Sequence, residues 1–418
     1  PYDYTTISVD EGSQNPEDAA LGWLNEQGFN TPQIGPGLLR DYLEDGMNLL
    51  AVRLTKEADA GKVRPIRLTY DAELPMIPIE LTAVAAEPDM GVMVWVLGES
   101  RAVPTNYKSL ELNEAAINWF NPASNYNQVI NEAADEAGGQ GFVTEYAFPT
   151  EVFTRQFGPN TRRARWERIR DQDWSGREGE LLQELMPMSG LEGFDYVIDT
   201  FALSGESITA RDLVELGSNA PLFDAADIEG LDLATFLEQF EAFVIDPIAA
   251  TMELIGERAY MTRLYTTMSP ADMTLDPVFD FNSDLPDVSN AHTAERTIHC
   301  SKAYRPSEAP WEVEFDQGTT IWGEGSGWPQ TVMLSSMPAN YRMRQYESRG
   351  DGEVVADNSA EIDQMLQTHN DNIKAGIREA GCGCSSTGEG RVDGAAVMLV
   401  LGFLVVGGIR RWGAERGA

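Results

Sequence analysis

The sequence predicts an α+β protein: a mixed-sheet lobe, then a more helical lobe, then a single C-terminal membrane helix. Three observations carry that prediction. Two amphipathic stretches near the start precede several adjacent apolar or alternating runs, an order that belongs to α+β rather than regularly alternating α/β domains. Beyond about residue 110 helical patterning dominates. The C-terminus passes through a Gly/Ser/Cys linker into a run without charge. The expected division is an α+β lobe over 1–110, a helix-rich α+β lobe with long ordered loops over 111–350, and an amphipathic helix over 351–380. A linker over 381–394 and a membrane segment with its basic stop over 395–411 complete it.

Taken in order, Asn15 to Phe29 predicts a helix, with Asn15 as cap, Pro16 in the first turn and Gly28 near the end. Its apolar residues Ala20, Leu21, Leu24 and Phe29 fall on one face. A second helix is predicted from Pro36 to Asp45, ended by Gly46. Strand-like runs follow at Met47–Leu54, Val63–Tyr70, Ile77–Val84 and Gly91–Leu97. Within the last, Val92 to Leu97 is apolar throughout, the pattern of a central strand buried on both faces. Later come short strands at Phe142–Phe148 and Asp195–Leu203, a helix at Leu231–Val244 and a long strand at Arg258–Thr267. Ser269 to Gly327, rich in Pro, Asp and Asn, predicts ordered loops. Ala360–Ala380 predicts the clearest helix, with Ile362, Met365, Leu366, His369, Ile373 and Ile377 in one stripe.

Thirty Lys and Arg against 67 Asp and Glu leave a net charge of −37. Such a chain repels phosphate polymers, which excludes nucleic acid as a partner. Only five of the cations are Lys, and an acidic, Lys-poor surface fits salty surroundings as well as a coding bias toward Arg. The chain begins at Pro1 without Met, so a removed leader or a fragment is expected. Ala395 to Ile409 is fifteen uncharged residues, about 23 Å of helix at about 1.5 Å per residue. That is short of the roughly 20 residues of a comfortable span, and a buried core helix is the alternative. Arg410 and Arg411 fit a membrane stop on the inner side, and Trp412 an interfacial anchor. Residues 391–418 hold four Arg against Asp393 and Glu415, so +2 there leaves −39 for the rest. The expected topology is an acidic body outside the cytoplasm and a basic tip inside. Cys382 and Cys384 are too few for a closed zinc site and lack redox spacing, so lipid attachment or processing is expected there.

The ordered set of Cys382/Cys384, Gly/Ser linker, short apolar helix and Arg410-Arg411 resembles the MYXO-CTERM sorting tail of myxobacterial surface proteins. The resemblance implies cleavage near a Cys by an intramembrane sorting protease, with that Cys carrying the surviving anchor. The body resembles a second family. Tyr2-Asp3-Tyr4-Thr5-Thr6, Leu21 to Phe29, Tyr260 to Pro270 and Asp276 to Asn282 are similar to the bacterial domain-of-unknown-function family 2330, over roughly residues 1–345 and as its C-terminal two-thirds. That resemblance implies an exported envelope protein and supplies no catalytic residues.

Chemistry is sparse. Gly323-Glu324-Gly325-Ser326-Gly327 lacks the spacing of a nucleophile elbow or a dinucleotide loop and predicts a surface turn. Neither a Walker loop nor a His-Glu-x-x-His helix is present. Of three histidines, His369 lies on a packing stripe, while His292 and His299, beside Cys300, are close enough in sequence to share a metal without any spacing that enforces it. Asp280-x-Asn282-x-Asp284, with Asp287, offers alternating oxygens as calcium loops do, but Leu285 stands where an EF-hand needs Gly. Asx turns are the alternative there. Arg155, Arg162, Arg163, Arg165, Arg168 and Arg170 are expected to pair with acidic neighbours such as Asp171, Asp173 and Glu178 or to dock on an acidic lobe, with Trp166 and Trp174 against the guanidinium groups. No catalytic residue and no cofactor other than calcium is assigned. The expectation is a non-enzymatic, surface-anchored binding or structural protein with an envelope partner. The rival is an extracytoplasmic hydrolase, metal-assisted or not, and a solute-binding module is a third class.

Overall fold

The computed structural model describes residues 2–9, 13–29, 36–54, 72–84, 86–157, 159–177, 180–181, 184–185, 233–300, 304–305, 307–329 and 337–377. The runs expected as strands at 63–70 and 195–203, the linker, Cys382, Cys384, the 395–411 segment, Arg410 and Arg411 lie outside the described residues. Among those described, no helix is long and apolar enough to cross a membrane. The architecture is mixed α+β, and it divides into two compact units. One lies within Pro1–Val96, Arg101–Ala147 and Thr262–Ala418, the other within Leu97–Ser100 and Phe148–Met261.

In the first unit, β1 (Tyr2–Ile7) and β2 (Leu49–Leu54) pair antiparallel, with α1 (Pro16–Glu26) and α2 (Pro36–Glu44) between them in sequence. Proline opens α1 at no hydrogen-bond cost, because first-turn N–H groups lack intrahelical partners anyway. Glu17 of α1, 2% exposed, pairs with Arg40 of α2 and fastens the two helices. The run at 77–84 is not a strand. It forms a four-residue helix, α3 (Ile79–Thr82), preceded by Pro78. Its Glu80 N–H donates to Asp276 Oδ1 at 3.0 Å, while Asp276 Oδ2 accepts the Tyr42 hydroxyl at 2.6 Å. One distant carboxylate thus clasps α2 and α3, a contact that local patterning does not carry.

The chain continues through β3 (Met90–Gly98), β4 (Arg101–Pro104), β5 (Lys108–Leu112), α4 (Tyr126–Glu136) and β6 (Gly141–Pro149). After the helical unit come β7 (Tyr260–Met268), β8 (Phe279–Asn282), β9 (Ala294–Ile298), β10 (Pro310–Phe315), β11 (Thr320–Glu324), β12 (Asn340–Gln345) and β13 (Glu353–Asp357). Six of these form one mixed sheet, ordered β13-β12-β5-β6-β7-β3, in which β5 and β6 run parallel across the α4 crossover. The three strands β11-β10-β9 make a separate antiparallel sheet, and β4 pairs with β8. The expected loop region 269–327 therefore contains four strands.

Alternation along β6 buries both faces of the large sheet. Phe142 packs with Val96, Tyr107, Leu264 and Phe279 on one side. Val143, on the other, joins Val129 and Ile130 of α4, the inward residues Trp311, Val313 and Phe315 of β10, and Ile362 and Leu366 of the C-terminal helix Ser359–Gly376. The strand expected to be buried on both faces, β3, is the edge of the sheet instead. Its Val92 and Val94 pack inward while Met93 and Trp95 are 53% and 37% exposed. A continuous apolar run specifies a strand without saying which position it takes.

Two local devices hold the small sheet. A Cβ on Gly323 would lie 2.2 Å from the Trp311 ring, so only glycine admits that indole, whose N–H then reaches the Gly325 carbonyl at 2.9 Å. Gly325 itself turns with φ of 71°, so the Gly-rich motif is a strand end and a turn. At the free edge of β11, Asn370 of the C-terminal helix accepts from Trp322 N–H at 2.8 Å and donates to the Thr320 carbonyl at 2.7 Å. One side-chain amide thereby replaces a neighbouring strand and covers an edge that would otherwise pair with foreign chains.

Besides the ends of β3, β6 and β7, the described residues of the second unit form α5 (Thr150–Phe157), α6 (Pro159–Arg170), α7 (Leu233–Phe240), a π-helical turn Glu241–Ile245 and α8 (Asp246–Gly256). Thr150 N–H donates to the Ala259 carbonyl at 3.0 Å, and its hydroxyl to that of Arg258, closing the unit where the chain enters and leaves. Trp166 is fully buried with its ring 5.4 Å from that of Phe240, and Ile169, Leu181 and Leu185 are buried in the same unit.

Candidate functional site

In the first unit, Glu145 of β6 and Arg263 of β7 are a buried ion pair, Oε2 to Nε 2.9 Å, with side chains 6% and 9% exposed. Tyr126, at the start of α4, donates its hydroxyl to Glu145 Oε1 at 2.8 Å. The Arg263 guanidinium lies 5.3 Å from the centre of the Trp95 ring. Burial and then the Glu145 charge raise the Tyr126 hydroxyl well above its ordinary range, and the same two causes raise Tyr265. Each member is fixed by a different strand or helix, so the network ties the sheet to α4.

Close in charge to this network is Glu114, in a 3-10 turn after β5, with the residue 9% exposed. Asn113 caps that turn by accepting from Ala115 N–H at 3.1 Å, and the Trp119 indole donates to the Glu114 carbonyl at 2.9 Å. The Glu114 backbone is therefore held in place, while its carboxyl Oε2 is buried without a hydrogen-bond partner. Oε1 lies 3.9 Å from Nδ1 of His292. Burial pushes the Glu114 carboxyl up to about 7, opposed by a Gln317 backbone hydrogen bond and reinforced by the Asp316 charge. Burial lowers His292, against the upward pull of Asp316 and Glu145. A carboxyl that is about half protonated near pH 7, beside a neutral imidazole, can exchange a proton with a third group near neutral pH.

His299 stands apart. Strand β9 separates it from His292, and it stacks on Trp322 at 4.4 Å with Nε2 3.2 Å from Glu312 Oε1. The two histidines are not brought to one metal. Cys300 is an exposed free thiol. His369 bonds the Trp322 carbonyl through Nε2 at 2.8 Å, as a packing histidine on the expected stripe does.

The Asp280–Asp287 segment closes loops. Asn282, fully buried, donates to the carbonyls of Glu347 and Gly350 at 3.0 and 2.9 Å and accepts from Asp284 N–H at 2.9 Å. Asp284 Oδ2 accepts from Gly350 N–H at 2.9 Å, and Asp280 Oδ1 from Phe281 N–H at 2.7 Å. Burial and then the nearby Asp287 charge raise the Tyr146 hydroxyl, with Arg263 opposing them. Among the described residues no three His, Cys, Asp or Glu side chains gather as a metal-binding group.

Three members of the arginine cluster, Arg163, Arg165 and Arg170, are paired within the helical unit, while the side chains of Arg155 and Arg162 lie outside the described ones. Arg163 reaches Asp246 at 2.7 Å and Glu241 at 3.1 Å, and Arg170, seven residues on, reaches the same Glu241 oxygen at 3.3 Å. Arg165 pairs with Glu184 at 2.8 Å. Of the acidic neighbours expected, Asp171 takes part, 3.3 Å from Arg170, and Glu178 lies outside the described residues. Trp166 packs on Phe240, while Trp174 meets a guanidinium outside the cluster, that of Arg177 at 5.2 Å. Sequence reasoning missed Glu114, Glu145 and Arg263 as partners. The available signal was one charged residue inside each apolar run of β6 and β7.

No curated protein and no solved structure matches the chain. A family described as an uncharacterized protein conserved in bacteria (DUF2330) matches residues 1–279, ending in β8 rather than near residue 345. With 279 of its 418 residues matched, the chain belongs to that bacterial family.

Proposed function

We propose that this chain is a cell-surface-anchored envelope protein, a non-enzymatic binding or structural component whose acidic body lies outside the cytoplasm. The observation that carries the reading is the order of the tail: Cys382/Cys384 in a Gly/Ser linker, fifteen uncharged residues, then Arg410-Arg411. In this reading a sorting protease cuts near one Cys, and that Cys keeps the anchor. The described side chains support a structural role, because Arg163, Arg165, Asn282 and Asp284 are engaged in internal pairs and backbone hydrogen bonds. Replacing Cys382 and Cys384 by Ala in the full chain tests it. Surface retention is expected to fall and the tail to stay uncut, and an unchanged surface fraction and mass would overturn the reading.

The hydrolase alternative is favoured by one observation, the buried Glu114 carboxyl beside the half-exposed His292. It requires turnover of ester, amide or glycoside probes that disappears in a folded Glu114→Gln variant. Turnover unchanged by that substitution would exclude this pair as its acid and base.

A further inference from the structure

Seven of the 25 arginines lie between residues 155 and 177, inside a chain whose net charge is −37. Where α6 ends, a cleft of about 380 Å³ is walled by Arg165, Arg168, Arg177, Trp174, Glu180 and Glu184. That volume is at the small end of ligand pockets, which run about 300–1,000 Å³. Its apolar wall is fixed, since the buried Trp174 donates its indole N–H to the Ile169 carbonyl at 2.7 Å. Both carboxylates already hold an arginine: Glu184 takes Arg165 at 2.8 Å, and Glu180 takes Arg177 Nε at 3.0 Å. Arg177 also lies over the Trp174 ring. Each of these guanidinium groups is oriented by its pair and retains further N–H donors, because a guanidinium carries five.

Arg168 is the odd member. Among the described residues no carboxylate lies within ion-pair distance of it, and its Nε donates only to the Ala164 carbonyl one turn back at 3.4 Å. Three guanidinium groups against two carboxylates leave the cleft one positive charge in excess. We propose that this cleft binds an oxyanion, a carboxylate or phosphate group on a small ligand, with the Arg168 fork as its main contact and Arg165 and Arg177 as flanking donors. Guanidinium and planar oxyanion match through two parallel N–H···O bonds, and the tryptophan wall excludes water from one side. The surrounding negative field selects for size, because a polyanion meets the repulsion of the whole body while a small ligand meets mainly the cleft. The inference gives the binding reading its ligand class and is independent of the anchor.

Titration of the full-length protein in detergent with inorganic phosphate, with citrate, and with phosphatidylglycerol vesicles tests it. One saturable site with Kd on the order of 1 mM or tighter is expected, weakening as salt rises. Arg168→Ala should weaken binding about 10- to 100-fold, the loss of one charge-assisted bidentate contact. Arg168→Lys should fall between, and Arg163→Ala, whose guanidinium pairs with Asp246, should bind as wild type. Circular dichroism confirms that the variants are folded. The same Arg168 dependence on vesicles alone assigns the oxyanion to a lipid headgroup, and on phosphate or citrate to a solute. No binding of any probe, or binding unchanged in folded Arg168→Ala, overturns the proposal whether or not the cysteine variants lose the surface.

Discussion

The sheet-rich unit and the helical unit use charge in opposite ways. The first buries it: Glu145 and Arg263 face each other at 2.9 Å among hydrophobic strands, and Glu114 is buried without a full set of partners. The second spreads it over exposed pairs such as Arg163–Asp246, where both side chains are at least 40% exposed. Buried ions carry a desolvation cost that only a complete set of partners offsets, so they fix a fold and punish any change. Exposed pairs contribute little each and leave room for a group such as Arg168 to serve a ligand.

The largest effect should come from breaking the buried pair. Glu145→Ala strands Arg263 and the Tyr126 hydroxyl and is expected to cost about 3–5 kcal/mol in urea unfolding. Glu114→Gln should act next, and with the opposite sign at high pH. The folded-state pKa of Glu114 is raised from 4.5 to about 7, so its favourable contribution is complete below pH 4.5 and is lost as pH rises through 7. The variant is therefore expected to gain about 1–2 kcal/mol over wild type at pH 8.5, after discounting for partial exposure, and little at pH 5. Burial lowers His292 in wild type and variant alike, so the variant-minus-wild-type difference largely removes its own titration. Smallest should be Arg163→Ala, at most about 1 kcal/mol despite its several carboxylate neighbours. Equal losses from Glu145→Ala and Arg163→Ala would erase the contrast between the units.

Where the fold was legible, local chemistry sufficed. Pro16 and the Ala20/Leu24 stripe marked α1, the apolar run marked β3, and the Ile362-to-Ile377 stripe marked the C-terminal helix. It failed where tertiary contacts decide. α3 follows a proline and is held by Asp276, and β3 gave no sign of being an edge. Strand β10 was legible in principle, since Trp311, Val313 and Phe315 alternate with Glu312 and Glu314, but the Pro- and Asp-rich surroundings masked it. The site was least legible. Glu114 and His292 meet only through the fold, and burial, which makes Glu114 unusual, leaves no mark in a sequence holding 67 carboxylates.

The central claim is that the sheet unit's buried charges are structural while the helical unit's spare arginine is functional. The most direct test is the rise in melting temperature caused by phosphate or citrate in wild type, Arg168→Ala and Tyr126→Phe. Tyr126→Phe removes one bond to the buried Glu145 and should lower the starting temperature yet keep the ligand-induced rise. Arg168→Ala should keep the starting temperature and lose the rise. A rise that survives in Arg168→Ala, or that vanishes in Tyr126→Phe, would contradict the account.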